Sequence, residues 1–297
     1  MTNRIDLHMH SNFSNDGEDT PSELMNLCRQ SGLEVVALTD HNSVRGIAEA
    51  CEAAKRSGIE CISAIELDCH YGGTNLHVLG YGIDTQVAEF AEIEKDILKQ
   101  EQDASPVIMK CIQDLGILFE EQKAWDLAVD GVVTAEMIAE VALEDARNRS
   151  NTLLAPYRKG GSRSDNPYVN FYWDFCSQGK PAAVQFEYID LQHAIQLIKG
   201  SGGLAVLAHP GINIGQNQQI LSEIIGFGMD GIEVYSSYHD EASTAFFSQK
   251  ADELHVLKTM GSDFHGKIKP AIRLGMMDCR EEADITRRFM KRLHDLT

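Results

Sequence analysis

The sequence predicts an α/β protein whose βα units are built on a parallel sheet, and three observations carry the prediction. Short β-rich runs alternate with helical segments over residues 5–100, the alternation stops over 101–179 and resumes afterwards, and the strands end on or beside ionisable residues. Residues 5–9 read as the first strand. Thr20-Pro21-Ser22-Glu23 opens a helix, with Thr20 as N-cap, Pro21 at the first helical position and Glu23 completing a capping box. Leu24, Leu27 and Cys28 form its buried stripe, and Gly32 stops it. Residues 35–38, 61–65 and 76–79 are the next three strands, with helices over 44–57 and 86–102. Between residues 101 and 179, helical pieces at 106–115 and 134–143 lead to the basic stretch Arg158-Lys159-Gly160-Gly161-Ser162-Arg163, which reads as an inserted helical subdomain. The rhythm returns with a helix at 191–199, strands at 204–208, 231–234 and 256–260, and a closing amphipathic helix at 281–296. Residues 1–100 and 180–297 are therefore expected to form one body and 101–179 an insert. In barrels of this kind the chemistry lies at the C-terminal face, where the loops converge.

The chain has 297 residues, 43% of them apolar, which suits a sizeable core. No run approaches the length of a membrane span, and Arg4, Asp6 and His8 interrupt the N-terminus before any signal-peptide core. A cytoplasmic protein with no membrane partner is expected. The seven cysteines are scattered without a C-x-x-C pair, and their odd number argues against a closed disulfide framework. With 26 basic residues against 45 acidic ones, the net charge is −19, which repels long nucleic acid unless bound cations reverse it locally.

Asp6-Leu7-His8-Met9-His10 sets His8 and His10 two apart at a strand end, so both imidazoles project to one side and grip one ion. Half-exposed strands also alternate polar residues, and the pair alone defines nothing. Its recurrence does. Thr39-Asp40-His41 ends the second strand, Glu66 the third, His77 starts the fourth, His209-Pro210 ends the fifth, and Ser262-Asp263-Phe264-His265-Gly266 follows the seventh. Nitrogen and oxygen donors without thiolate fit Mn²⁺, Zn²⁺ or Fe²⁺. His70, His193, His255 and His294 read as packed or solvated side chains. His239, after Tyr235-Ser236-Ser237-Tyr238, is a candidate for contacting substrate or donating a proton. Glu233 is either buried and hydrogen-bonded or stands behind a ligand.

In this order, the segments DLHMHS, ALTDHN, AIE, HVLGYG, LAHPG and GSDFHG resemble the PHP superfamily, named for its polymerase and histidinol phosphatase members, over about 5–82 and 180–274. The resemblance implies a distorted (β/α)7 barrel (TIM-like) with an inserted small helical subdomain, and a centre of two or three divalent metal ions. Carried over residue by residue, it implies His8, His10, Glu66 and Asp263 as ligands of a first metal. Glu66 would bridge to a second, held also by His77 and His209, and Asp16, His41 and His265 would take a third. Many relatives have histidine where this chain has Asp16. Asp6 and Asp40 are expected behind the ligands, orienting His8, His10 or His41 through their ring N–H groups.

The implied reaction is hydrolysis of a phosphate ester by a metal-bridging hydroxide attacking phosphorus in line, with Glu66 and Asp263 at the catalytic centre. The spacing and the helical insert resemble nucleotide phosphoesterases, so the implied substrate is a small nucleotide or short oligonucleotide. Histidinol phosphate is the alternative substrate, and a non-catalytic metal-stabilised module the alternative class. Lys180, in Gly179-Lys180-Pro181, resembles an element that closes the insert in one branch and is a candidate phosphate ligand, with Arg158 and Arg163 as further candidates. The insert departs from that branch in lacking arginine pairs over 100–110.

Overall fold

The computed structural model describes residues 4–296. Its strands are β1 (Ile5–Asp6), β2 (Val35–Leu38), β3 (Glu60–Tyr71), β4 (Thr74–Tyr81), β5 (Ile189–Asp190), β6 (Leu204–Leu207), β7 (Gly231–Ser236) and β8 (Leu257–Gly261). They form one sheet in the order β1-β2-β3-β4-β6-β7-β8, with β5 attached to β3. The two ends of that path meet, because the Leu7 N–H donates to the Met260 carbonyl (3.0 Å) and the His10 N–H to the Phe264 carbonyl (2.9 Å). A nearly closed, distorted seven-strand barrel results. β1 is shorter than expected, since residues 7–10 divide their backbone bonds between the β8 side and Thr39, whose N–H donates to the Met9 carbonyl.

The sheet is not wholly parallel. β4 runs antiparallel to both β3 and β6. Gly72 and Gly73, at φ 57° and 82°, reverse the chain within two residues, a turn that leaves no room for a crossover helix. This hairpin pairs His77 directly with Asp68.

Helices α1 (Pro21–Gln30) and α2 (Ile47–Ser57) follow β1 and β2. The capping box of α1 is formed: the Glu23 N–H donates to Thr20 Oγ1 (3.3 Å) and the Thr20 N–H to the Glu23 carboxylate (3.0 Å). Two helical pieces expected after β4 are one 27-residue helix, α3 (Ala88–Asp114), with Pro106 inside it. An interior proline costs about 3 kcal/mol. Phe90, Ile93 and Ile97 bury one end of α3 in the barrel core, while Met109 and Ile112 bury the other in the insert, and that burial outweighs the lost bond. The expected boundary at residue 101 thus falls inside a continuous helix.

The insert continues with α4 (Glu121–Leu127), α5 (Ala135–Glu144) and α6 (Pro167–Phe175). Its apolar side chains, including Met109, Ile138 and Phe171, pack as a cluster of their own. α7 (Leu191–Gly200), the short α8 (Pro210–Asn213), α9 (Gln218–Gly226) and α10 (Glu241–Glu253) alternate with the later strands, and α11 (Glu282–His294) sets Phe289 edge-on against Tyr81 at 5.1 Å. No helix among the described residues is long and apolar enough to cross a membrane. All seven cysteines are free thiols.

Candidate metal centre

Glu66, buried in β3, is the hub of the site. Its Oε2 lies 3.1 Å from His8 Nε2, 3.2 Å from His10 Nε2 and 3.4 Å from His41 Nδ1. Its Oε1 lies 2.9 Å from His77 Nδ1 and 3.2 Å from His209 Nε2. Asp263 Oδ1 approaches His8 and His10 at 3.3 and 3.1 Å. His265 Nε2 lies 3.2 Å from Asp16 Oδ2, and its ring stacks on His10 with centroids 4.0 Å apart. The fold therefore gathers all nine residues singled out as candidate ligands. The donor atoms of seven of them fall into three overlapping groups, each within 4.8 Å: His8, His10, Glu66 and Asp263; His41, Glu66 and His77; His10, His41 and His265. Asp16 and His209 stand at the edge, on His265 and Glu66 respectively. His41 belongs to two of these groups, so it reaches the Glu66–His77 side as well as the Asp16–His265 side.

Four atoms in this cluster are buried without a hydrogen-bond partner: His10 Nε2, His41 Nδ1, His265 Nε2 and Asp68 Oδ1. Each such group costs about 1–3 kcal/mol unless something satisfies it. Lone pairs of nitrogen and oxygen converging at this spacing are satisfied together by divalent cations, so the residues present fit a metal centre.

In four of the histidines the other ring nitrogen is held by the protein, which aims Nε2 inward. His8 Nδ1 donates to Glu233 Oε1 (2.9 Å), His265 Nδ1 to the Asp263 carbonyl (2.9 Å), and His209 Nδ1 to Asn213 Oδ1 (3.2 Å). His10 Nδ1 donates to Ser14 Oγ (2.9 Å), which in turn donates to Asp40 (3.2 Å). Asp40 thus acts on His10 only through Ser14, and Asp6 bonds backbone N–H groups of His8, Ser262 and Gly275 instead of any ring. The expectation that both carboxylates hold ring N–H groups directly is corrected: for His8 that partner is Glu233. Gly261 makes the fit possible, since a Cβ there would sit 2.2 Å from His8 Cβ.

The charges are mutually supporting. Burial by itself would lower His8, yet Glu66, Glu233 and Asp263 hold it well above its ordinary value. Burial would raise Glu66, but His8, His77 and His41 pull it well below the carboxylate range. Against burial, Lys269, His265 and His8 lower Asp263 likewise. Burial, with His265 and His41 as neighbours, pushes His10 down to about 4. Protons and cations compete for such a cluster.

Asp68, Asn42, Tyr238 and Lys269 also belong to the site and were not anticipated. Asp68 lies 3.1 Å from His77 Nε2 and 3.5 Å from His41 Nδ1. Asn42, at φ 54°, donates to Asp68 Oδ2 (2.7 Å). Asp263 itself sits at φ 58°, a strained position that the bonds around it sustain. Tyr238 OH and Lys269 Nζ both donate to its Oδ2 at 2.6 Å, leaving Oδ1 toward the histidines.

Four other candidates stand elsewhere. His239 is not at the site: Nε2 accepts from the Gly211 N–H (3.0 Å), Nδ1 donates to the Val234 carbonyl (2.9 Å), and its ring stacks on Phe247. With both nitrogens bound to backbone it has no proton to give a substrate. Arg158 donates to the Leu143 and Asn148 carbonyls, and Arg163 pairs with Asp174, so both guanidinium groups are engaged within the insert. Lys180 is exposed beside Gly179.

Next to the donor cluster opens a cavity of about 1040 Å³, reaching from Asp16, His41 and Asp68 to Tyr172, Trp173 and Tyr188. Buried imidazoles and carboxylates around one shared carboxylate, at the mouth of a barrel, define a metal-dependent hydrolase. A PHP domain profile matches residues 6–284. The chain is 30% identical over 264 residues to a 3',5'-nucleoside bisphosphate phosphatase of Chromobacterium violaceum, covering 88% of this chain and 87% of that protein. It is also 30% identical over 269 residues to a 5'-3' exoribonuclease of Haemophilus influenzae, covering 89% and 91%. Among solved structures, an amidohydrolase from Chromobacterium violaceum with bound sulfate and no metal matches with a TM-score of 0.77 at 26% identity, over 96% of both chains. The chain belongs to the PHP domain family, and it is a hydrolase acting on phosphate ester bonds.

Proposed function

We propose that the protein hydrolyses the phosphate ester of a small nucleotide, using two or three Mn²⁺, Zn²⁺ or Fe²⁺ ions held by His8, His10, Asp16, His41, Glu66, His77, His209, Asp263 and His265. The observation that carries this reading is the continuity of the donor cluster with a cavity whose other wall is aromatic. Tyr172, Trp173, Phe186 and Tyr188 line it, and the Phe186 and Tyr188 rings stack with centroids 5.8 Å apart. A volume of about 1040 Å³ suits a nucleotide, and ring faces are what a base stacks on. The phosphatase and the exoribonuclease among its relatives act, by their names, on a nucleoside bisphosphate and on RNA, which supports a nucleotide as the substrate class but leaves the number of phosphates to this chain's own cavity.

Bound ions would polarise the phosphoryl group and activate water at neutral pH. The chain's own residues do the remaining work. Glu66 presents one oxygen to each side of the cluster and fixes the spacing between the sides. Tyr238 and Lys269 hold Asp263 with one oxygen inward, and Glu233 keeps the His8 tautomer that aims Nε2 at Glu66. The barrel, residues 1–100 and 180–297, carries hydrolysis. The insert, residues 101–179, contributes Tyr172 and Trp173 and with them recognition of the group attached to phosphate.

Phosphate release from a panel of nucleoside phosphates and a generic aryl phosphate tests the proposal. Nucleoside phosphates are expected to exceed the aryl phosphate in kcat/KM, and Trp173→Ala to raise KM for the nucleotide by about tenfold while the aryl phosphate changes less. Equal loss on both substrates would remove the recognition role from the insert.

A further inference from the structure

We infer that the cavity selects a substrate carrying a single phosphate and turns away one carrying a second, because its wall beyond the donor cluster offers carboxyl groups, ring faces, uncharged amides such as Asn75 and Gln185, and a His70 whose Nδ1 is given to the Tyr188 carbonyl (2.9 Å), where a second phosphate needs a free cation. The inference rests on the nucleotide phosphoesterase reading and narrows it.

Among the described residues, two basic side chains other than histidine line the cavity, Arg45 and Lys269. Neither is at liberty. Arg45 donates to Glu94 Oε1 (2.5 Å) and Asp130 Oδ2 (2.7 Å), and its guanidinium lies over the Phe13 ring at 4.8 Å. Lys269, buried to 6% exposure, donates to Asp263 Oδ2 at 2.6 Å. Recruiting Lys269 to a distant phosphate would strip the support from Asp263. The insert brings no replacement, since Arg158 is bound to main-chain carbonyls and Arg163 to Asp174, and Lys180, just beyond it, does not line the cavity.

The same wall carries Glu101 from α3 and Glu136 from the first turn of α5. Glu101 Oε2 accepts from Asn15 Nδ2 at 2.5 Å, which holds that carboxyl beside the segment leading to Asp16. Glu136 is buried to 5% exposure. Ionised, these groups repel a phosphate of charge about −1.5 to −2. Protonated, they still supply no positive charge. What the wall does accept is an uncharged or cationic group with a flat face, set against Tyr172, Trp173 and Tyr188. One phosphate, gripped at the donor cluster, and one uncharged base together satisfy the site; a second phosphate leaves its charge unpaired.

The test compares the Mn²⁺-loaded protein on adenosine 5'-monophosphate, adenosine 3',5'-bisphosphate and p-nitrophenyl phosphate. The monophosphate is expected to exceed the bisphosphate in kcat/KM by about tenfold or more. Glu101→Lys, which adds a cation to the wall, should shift that ratio toward the bisphosphate by about tenfold, and the milder Glu101→Gln should shift it the same way by less. A wild-type protein that takes the bisphosphate as well as or better than the monophosphate overturns the inference, and so does a ratio unmoved in both variants. Failure to release phosphate from any of the three compounds would instead overturn the underlying phosphoesterase reading.

Discussion

Glu66 brings two oxygens to five imidazoles, and neutralising it removes charge from both sides of the cluster at once. Glu66→Gln is expected to lower kcat/KM by on the order of a hundredfold or more, against a smaller loss for Asp16→Asn, which pairs with His265 at 3.2 Å on the periphery of the cluster. Steady-state phosphate release from both variants decides it, and a larger loss for Asp16→Asn would reverse the assignment. Glu233→Gln leaves the metal-facing atoms in place but loosens the His8 ring, so metal affinity should weaken by roughly ten- to a hundredfold, read by competition with a chelating dye. At this scale the sequence was most informative where donors recur at strand ends. Asp68 escaped notice because the third strand was read as ending at Glu66, although the strand runs on to Tyr71 and Glu66 and Asp68, two apart, share a face by the rule that paired His8 with His10. Lys269 and Tyr238 had no signal, since only the tertiary fold brings them to Asp263.

Among the elements, the capped and periodic ones were legible and the junctions were not. The α1 capping box stood in the residues themselves, and Thr20→Ala should cost about 1 kcal/mol in urea unfolding, unless α1 is held by its packing on α2 alone. The β3–β4 hairpin was readable from Gly72-Gly73 between two β-rich runs, but the βα rhythm on either side favoured a parallel strand. Pro106 was read as a helix boundary, and local propensity lost to burial of the helix at both its ends. Arg158 and Arg163 stood as candidate phosphate ligands only because sequence cannot show the carbonyls and the Asp174 carboxylate that occupy them.

For the whole molecule, buried carboxyls tie stability to pH. Burial raises Glu136 to about 7 from an ordinary 4.5. A carboxyl whose folded pKa lies above its unfolded value contributes stability that is fully present below the unfolded value and is lost as pH rises through the folded one. Glu136→Gln has no such loss, so its melting temperature relative to wild type should rise as pH climbs from 4.5 to about 7, as thermal melts across that range would report. A constant difference would mean that Glu136 titrates alike in the folded and unfolded chain. The net charge of −19 likewise makes metal content a whole-molecule property, because cations bound at the cluster offset part of the acidic excess. The central claim, that this cluster is a metal centre performing phosphate-ester hydrolysis, is tested most directly by measuring metal stoichiometry and phosphate release on one gently purified sample, before and after chelation and after Mn²⁺, Zn²⁺ or Fe²⁺ is returned. More than one ion per chain is expected, with phosphate release that falls on chelation and returns with metal; a stoichiometry near zero that no added metal raises, or hydrolysis undiminished in the metal-free protein, would contradict it.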